Sequence, residues 1–203
     1  MSTFLTLYDY RRKVSELYYY IRHSNDPPEL TLQKFREEKD RLFAHHPQSA
    51  LTESQKKDFQ GLRYFDYDPA YRFALPVHEL ASEKSETIEL RQDGTLTYAS
   101  VGRVEFDLFD KRCILTIFWL KGYGGGLFLP FRDQTAGTET YGGGRYLLDT
   151  VKGADLGKDN ENLVLDFNYA YHPSCAYNSD WHCPLAPAEN LLDVPIRAGE
   201  RLS

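Results

Sequence analysis

The sequence predicts a mainly β protein, an antiparallel barrel or sandwich preceded by two or three N-terminal α-helices. Three observations carry that prediction. The apolar period changes from helical to two near residue 62. The segments beyond it are short and separated by Gly-rich turns, with no helical pattern between them. Aromatic residues make up 14% of the chain, with 15 Tyr and 12 Phe against one Met, a composition that suits half-buried strands.

Each element follows from local pattern. Over residues 3–21, Phe4, Leu7, Tyr8, Val14, Leu17, Tyr18 and Ile21 recur at roughly helical spacing, and Asn25-Asp26-Pro27-Pro28 stops the helix. A second helix is expected over 32–44, with Phe35, Leu42 and Phe43 apolar among charges. His45-His46-Pro47 closes it, because proline disfavours helix at the residue before it. Thr52-Glu53-Ser54-Gln55 has the form of a capping box, so a short helix should run through Phe59 and end near Gly61.

Strands follow from residue 71. Residues 71–75 open the first. Residues 87–90 and 96–98 flank Asp93-Gly94, a dipeptide that tolerates the positive φ of a tight hairpin. Residues 104–109 alternate, then turn at Asp110-Lys111 into CILTIFWL, which is apolar on both faces and expected at the centre of a sheet. Further strands are expected at 127–131, 145–150 and 163–168. Residues 191–196 read as an edge strand, since Pro195 has no amide to donate. The whole reads as one folding unit: an N-terminal helical segment, 1–61, packed on an antiparallel β domain, 62–203.

At 203 residues the chain can bury a sizeable core. Its net charge is -6 and its cations are interspersed with acids, so a nucleic-acid partner is not expected. The longest apolar run is eight residues, and the N-terminus lacks a charged segment followed by an apolar one. The expectation is a soluble, cytoplasmic protein with no membrane partner, and with its three cysteines reduced.

Several stretches resemble the bacterial and archaeal family called domain of unknown function 1684. They are Phe35-Arg36 with Lys39-Asp40 and Phe43, then Ser49-Ala50-Leu51, and Phe59-Gln60-Gly61-Leu62-Arg63-Tyr64-Phe65. Phe131-Arg132-Asp133, residues 138–146, Leu165-Asp166-Phe167-Asn168 and Cys175-Ala176-Tyr177 continue the likeness. Cys183-Pro184, Pro187, Glu189-Asn190 and Ala198-Gly199-Glu200 complete it. The likeness runs from about residue 34 to the end. The family often has proline where this chain has Ala50, and commonly asparagine where it has His172. It has no assigned activity, so the resemblance implies candidate residues and no chemistry.

Within these stretches lies a polar set: Arg132, Asp133, Thr135, Glu139, Tyr141, Arg145, Asp166 and Asn168. Asp166 and Asn168 are two apart, so on a strand they share a face, and Arg132 or Arg145 could hold Asp166 in a bidentate fork. A structural Arg–Asp network is one reading. The other is a ligand pocket lined by Arg132, Tyr141, Arg145, Tyr146, Asp166, Asn168 and Asn190, with the loop over 175–190 as its lid. An enzyme of hydrolase type would use Glu139 or Asp133 as general base. The run Gly142-Gly143-Gly144 could deliver Arg145 and Tyr146 to the mouth of the sheet, whereas Gly124-Gly125-Gly126 reads as a plain turn.

Residues 171–190, YHPSCAYNSDWHCPLAPAEN, allow four readings. His172, Cys175 and Cys183 are weak metal candidates, because adjacent His182 and Cys183 rarely reach one ion, so no metal or cofactor is expected. A Cys175–Cys183 disulfide and a catalytic thiol are the second and third readings. The plainest is a packed Pro-rich loop with small thiols, anchored by Trp181 and Tyr177. Cys113 belongs to the core, and His23, His45, His46 and His78 read as solvated. The leading function is small-ligand binding. The alternatives are the hydrolase, and an interaction or homodimer module docking through the aromatic first helix, where Tyr18-Tyr19-Tyr20 faces several directions.

Overall fold

The computed structural model describes residues 3–90 and 94–202. Three helices come first: α1 (Thr3–His23), α2 (Pro28–His45) and α3 (Glu53–Asp58). The capping box at α3 forms as the sequence predicts. The Thr52 hydroxyl accepts from the Gln55 amide, and the Gln55 side chain accepts from the Thr52 amide. Proline enters α2 within its first turn, where its missing amide has no helical partner to lose.

Ten strands follow: β1 (Arg63–Tyr64), β2 (Arg72–Leu75), β3 (His78–Leu90), β4 (Gly94–Leu108), β5 (Lys111–Leu120), β6 (Gly126–Phe131), β7 (Arg145–Asp149), β8 (Lys158–Asp159), β9 (Asn162–Asp166) and β10 (Glu200–Arg201). They form a five-stranded antiparallel meander in the order β3-β4-β5-β6-β7, a three-stranded sheet β2-β9-β8, and a short ladder β1-β10. Neither larger sheet closes on itself. Of the two expected architectures the sandwich-like one is observed and the barrel is not. The main core fills the space between the sheets. Val104, Phe106, Leu115, Ile117, Leu129 and Phe131 from the meander meet Leu165, Phe167, Leu192, Val194 and Ile196.

Four expectations are corrected. The segments 96–98 and 104–109 are parts of one strand, β4, whose register against β5 shifts between Ser100 and Gly102; the bulge hides its continuity in the sequence. The turn into β5 is Phe109-Asp110, not Asp110-Lys111. Both residues have positive φ (51° and 60°), as a two-residue hairpin requires. Asp93 of the first hairpin lies outside the described residues. Residues 191–196 form no strand beyond one bridge, Arg132–Leu191: Leu192 and Val194 bond the backbone of Arg132 and Gln134, but at Ile196 the side chains of Asp133 and Arg145 take the amide and the carbonyl. His46 is buried rather than solvated. Its Nε2 lies 3.2 Å from Asp9 Oδ2, its Nδ1 accepts from the Gln48 amide, and its ring packs on Tyr10.

CILTIFWL does take the central position of the meander. It is not sealed: Ile114 on one face and Trp119 on the other are exposed. Among the described residues no helix is long and apolar enough to cross a membrane.

Candidate functional site

Helical spacing places Phe35, Lys39 and Phe43 on one face of α2, four residues apart. Phe35 packs edge-on against Tyr18 of α1 and against Tyr169, and Phe43 against Tyr177. Lys39 lies between them, its ammonium 4.7 Å from the centre of the Tyr171 ring and 5.7 Å from that of Phe35. Its ionic partner is Glu200 on β10. Nζ lies 2.6 Å from Glu200 Oε1, with the lysine side chain 12% exposed and the glutamate 1%.

Glu200 is aimed by three devices. The β1-β10 ladder sets it opposite Tyr64, so the two side chains share a face. Gly199 precedes it at φ 75°, where an added Cβ would stand 2.5 Å from the Ala170 carbonyl oxygen; only glycine fits that conformation and that space. Oε2 then accepts from the His172 amide and the Tyr177 hydroxyl, each at 2.6 Å. Burial pushes this carboxyl up, but the Lys39 charge, His172 and the Tyr177 hydroxyl outweigh it, and Glu200 ends below the ordinary glutamate value. Oε1 meets Lys39 as an ion pair outside hydrogen-bond geometry and accepts no hydrogen bond from the described residues.

Four tyrosine hydroxyls stand in the field of this carboxylate. Tyr10 and Tyr18 come from α1, Tyr64 from β1, and Tyr171 from the segment after β9. Burial pushes all four up, followed by the Glu200 charge at Tyr10, Tyr18 and Tyr64 and by the Asp149 charge at Tyr171; Tyr10 rises to about 12 and the others further, so each remains a protonated donor. The Tyr64 hydroxyl is buried without a hydrogen bond. None of the other three has a hydrogen-bond partner among the described residues.

Behind this centre lies the 171–190 loop. His172 is buried. Its Nε2 accepts from the Tyr141 amide at 3.2 Å, which puts the proton on Nδ1, 3.7 Å from Glu200 Oε2. Burial pushes its pKa down to about 4, so the ring is neutral near pH 7. Cys175 and Cys183 are free thiols, each part-buried, and Cys175 Sγ lies 3.7 Å from the Tyr141 hydroxyl. Among the described residues no three His, Cys, Asp or Glu side chains converge as metal ligands, so the three weak metal candidates do not form one site.

The polar set singled out in the sequence is spread over separate places. Arg145 and Asp133 form a fully buried ion pair, 3.0 Å apart, and neither reaches Asp166. The Arg145 guanidinium also donates to the carbonyls of Ile196, Ala198 and Glu200, and Asp133 Oδ1 accepts from the Ile196 amide. Together they bind the C-terminal strap to the core. Gly144, at φ 97°, delivers Arg145 there; a Cβ on it would stand 2.5 Å from the Phe131 carbonyl oxygen. Glu139 is on the surface, held by Arg197 through two nitrogens, which depress its carboxyl.

Asn168 sits in a one-turn helix after β9 rather than on the strand. It still meets Asp166, donating to Oδ1 at 2.8 Å, and both of its amide atoms bond the backbone of Asp68. Asn190 is fully buried and pairs with the amide and carbonyl of Thr116 and with the carbonyl of Pro130. It thereby clamps β5 to β6 where Pro130 interrupts the ladder. Arg132 bridges Leu191 through its backbone. Tyr141 and Tyr146 flank the cysteine loop, and the Tyr146 hydroxyl donates to the Pro184 carbonyl.

The sequence reading missed Lys39, Glu200 and the four tyrosines as a group. The only signal was that Lys39-Asp40 and Ala198-Gly199-Glu200 fell within the family-like stretches. Their neighbours are structural: Arg36 donates to the Phe65 carbonyl and covers the Tyr64 ring, and Asp40 accepts from the Leu62 amide.

Comparison with known proteins agrees with the resemblance. Residues 57–201 match the family described as "Protein of unknown function (DUF1684)". The matched span starts after α2, so the Phe35–Phe43 likeness lies outside it. The solution NMR structure of an uncharacterised protein from Haloarcula marismortui is 38% identical, with a TM-score of 0.60, covering 86% of this chain and 94% of that one. No curated protein matches the chain.

Proposed function

The chain belongs to the DUF1684 family of proteins of unknown function, and from that premise we propose that it binds a small, oxygen-rich molecule beside the Lys39–Glu200 ion pair. The observation that carries this reading is the Tyr64 hydroxyl, buried without a hydrogen-bond partner beside the buried Lys39–Glu200 ion pair, in whose field the Tyr10, Tyr18 and Tyr171 hydroxyls also stand. A buried polar group left unmade costs about 1–3 kcal/mol. The Tyr64 hydroxyl bears that cost outright, and it therefore calls for an occupant. The hydroxyls are protonated donors and suit carbonyl, carboxylate or ether oxygens, while Glu200 Oε1 suits a hydroxyl donor. The surrounding rings of Phe35, Phe43 and Tyr171 supply apolar walls.

Native and denaturing mass spectrometry of the purified chain tests this. The expected result is a mass excess present only in the native spectrum, and lost in a Tyr64→Phe/Tyr171→Phe variant that keeps its circular dichroism. A native mass equal to the bare chain, with the hydroxyls satisfied by ordered water alone, would refute it. The hydrolase reading draws no support from Glu139 or Asp133, since each carboxylate is engaged by an arginine.

Docking through α1 has one favourable observation: Phe4, Leu5 and Tyr8 are exposed on it. Sedimentation of the full chain beside a Phe4→Ser/Tyr8→Ser variant tests it. A monomer in both removes the reading.

A further inference from the structure

A separate feature lies on the other face of the β1-β10 ladder, away from the Lys39–Glu200 ion pair. We propose that Arg63 and Arg201 form a clamp for the phosphate group of a small phosphate monoester. The ladder sets these two residues directly opposite one another. Side chains alternate along a strand, so both point away from the face shared by Tyr64 and Glu200. Like charges directly opposite on paired strands repel and weaken the pairing. Here both residues are exposed, and neither guanidinium meets a carboxylate among the described residues. Glu139, the acid of the neighbouring turn, is already held by Arg197 through two nitrogens, while its carbonyl accepts from the Leu202 amide.

Arg201 is held in place for this role. Its guanidinium carbon stands 5.6 Å from the centre of the Phe65 ring, and its Nε donates to the Leu202 carbonyl at 3.2 Å. Its two terminal nitrogens have no partner among the described residues. Phe65 is fixed in turn, because its amide donates to the Gly199 carbonyl at 2.9 Å and so extends the ladder past Tyr64. The Arg63 side chain has no partner among the described residues, so all its N–H groups are open to a ligand. A guanidinium fork matches pairs of phosphate oxygens. Two such cations match the nearly two negative charges of a monoester at neutral pH. A bound dianion cancels the repulsion across the ladder, so occupancy tightens the pairing of β1 with β10. Nucleic acid fits less well. Its diesters carry one charge each, and this chain has a net charge of -6 with its cations interspersed among acids.

Glycerol 3-phosphate is the probe and dimethyl phosphate the singly charged control, both at constant ionic strength on the full chain. With a Kd of about 1 mM, about 10 mM of the monoester should raise the wild-type Tm by about 3–6 °C. Dimethyl phosphate should leave it unchanged. Arg63→Gln should lose the rise. Without added anion it should melt at or above the wild-type temperature, because one of two opposed charges is gone. Arg201→Gln, the second variant, should lose the rise as well. Amide exchange at Phe65 should slow several-fold with the monoester in the wild type and not in Arg63→Gln. An equal rise in wild type and both variants would reflect exclusion of the anion from protein surfaces in general, and would overturn the proposal. So would an Arg63→Gln variant that melts well below the wild type without anion, which would make the arginine structural. A response to inorganic phosphate with none to glycerol 3-phosphate would overturn the assignment to an ester.

Discussion

Lys39 on α2 and Glu200 on β10 meet 2.6 Å apart with almost no access to solvent, and this contact joins the helical segment to the strap that closes the sandwich. Taking two charges out of water costs several kcal/mol each, and their attraction offsets that only when further hydrogen bonds help. Glu200 has those bonds from the His172 amide and the Tyr177 hydroxyl. Lys39 has the faces of three aromatic rings.

Removing one partner leaves the other charge buried alone. Lys39→Met is expected to cost about 3–5 kcal/mol in urea unfolding. Lys39→Met combined with Glu200→Gln should recover a large part of that loss. A double variant as unstable as the sum of the singles would mean that the two charges are not coupled.

Stability should fall in mild acid through His172. Its folded pKa, about 4, is depressed below the ordinary histidine value of 6.5. Between those values the unfolded chain binds the proton and the folded chain does not. The contribution is thus fully present above pH 6.5 and is lost as pH falls to about 4, by roughly 3 kcal/mol. Glu200 adds a loss at lower pH, because its folded value lies below the unfolded carboxylate's. His172→Asn should flatten the curve between pH 6.5 and 4. An unchanged slope there in denaturant titrations would show that another group titrates.

Tyr64→Phe removes a buried hydroxyl that no protein group satisfies. In the ligand-free chain it is expected to leave stability unchanged or raise it by about 1 kcal/mol. A loss of 1 kcal/mol or more would mean that a fixed water bonds this hydroxyl in the free protein.

Arg145→Met should cost about 3–5 kcal/mol, since it strands the Asp133 carboxylate and frees three carbonyls of the C-terminal strap. Hydrogen exchange should show the loss first in residues 191–201. A folded variant with unchanged protection there would return Arg145 to the candidates for ligand contact.

Arg145 also shows where reading a sequence stops. That it sits beside glycines, at the start of a strand, among other polar residues, was legible. That its guanidinium turns inward to the strap was not, because its partners Asp133, Ile196 and Ala198 approach from distant parts of the chain. The expected edge strand at 191–196 failed for the same reason. At Ile196 the ladder is replaced by the Arg145 and Asp133 side chains, which take its carbonyl and amide, and no local pattern announces that.

The sequence by itself determined the three helices, the α3 cap, the change to strands, the central place of CILTIFWL and the family. These depend on side-chain periodicity, on caps and on ordered motifs, all of which lie within short stretches of chain. Only the tertiary structure decided that the sheets stay open and that Lys39 meets Glu200 among four tyrosines. Those outcomes rest on which buried charges and hydroxyls meet when distant segments pack, and the free energy of such contacts exists only once water has been excluded from between them.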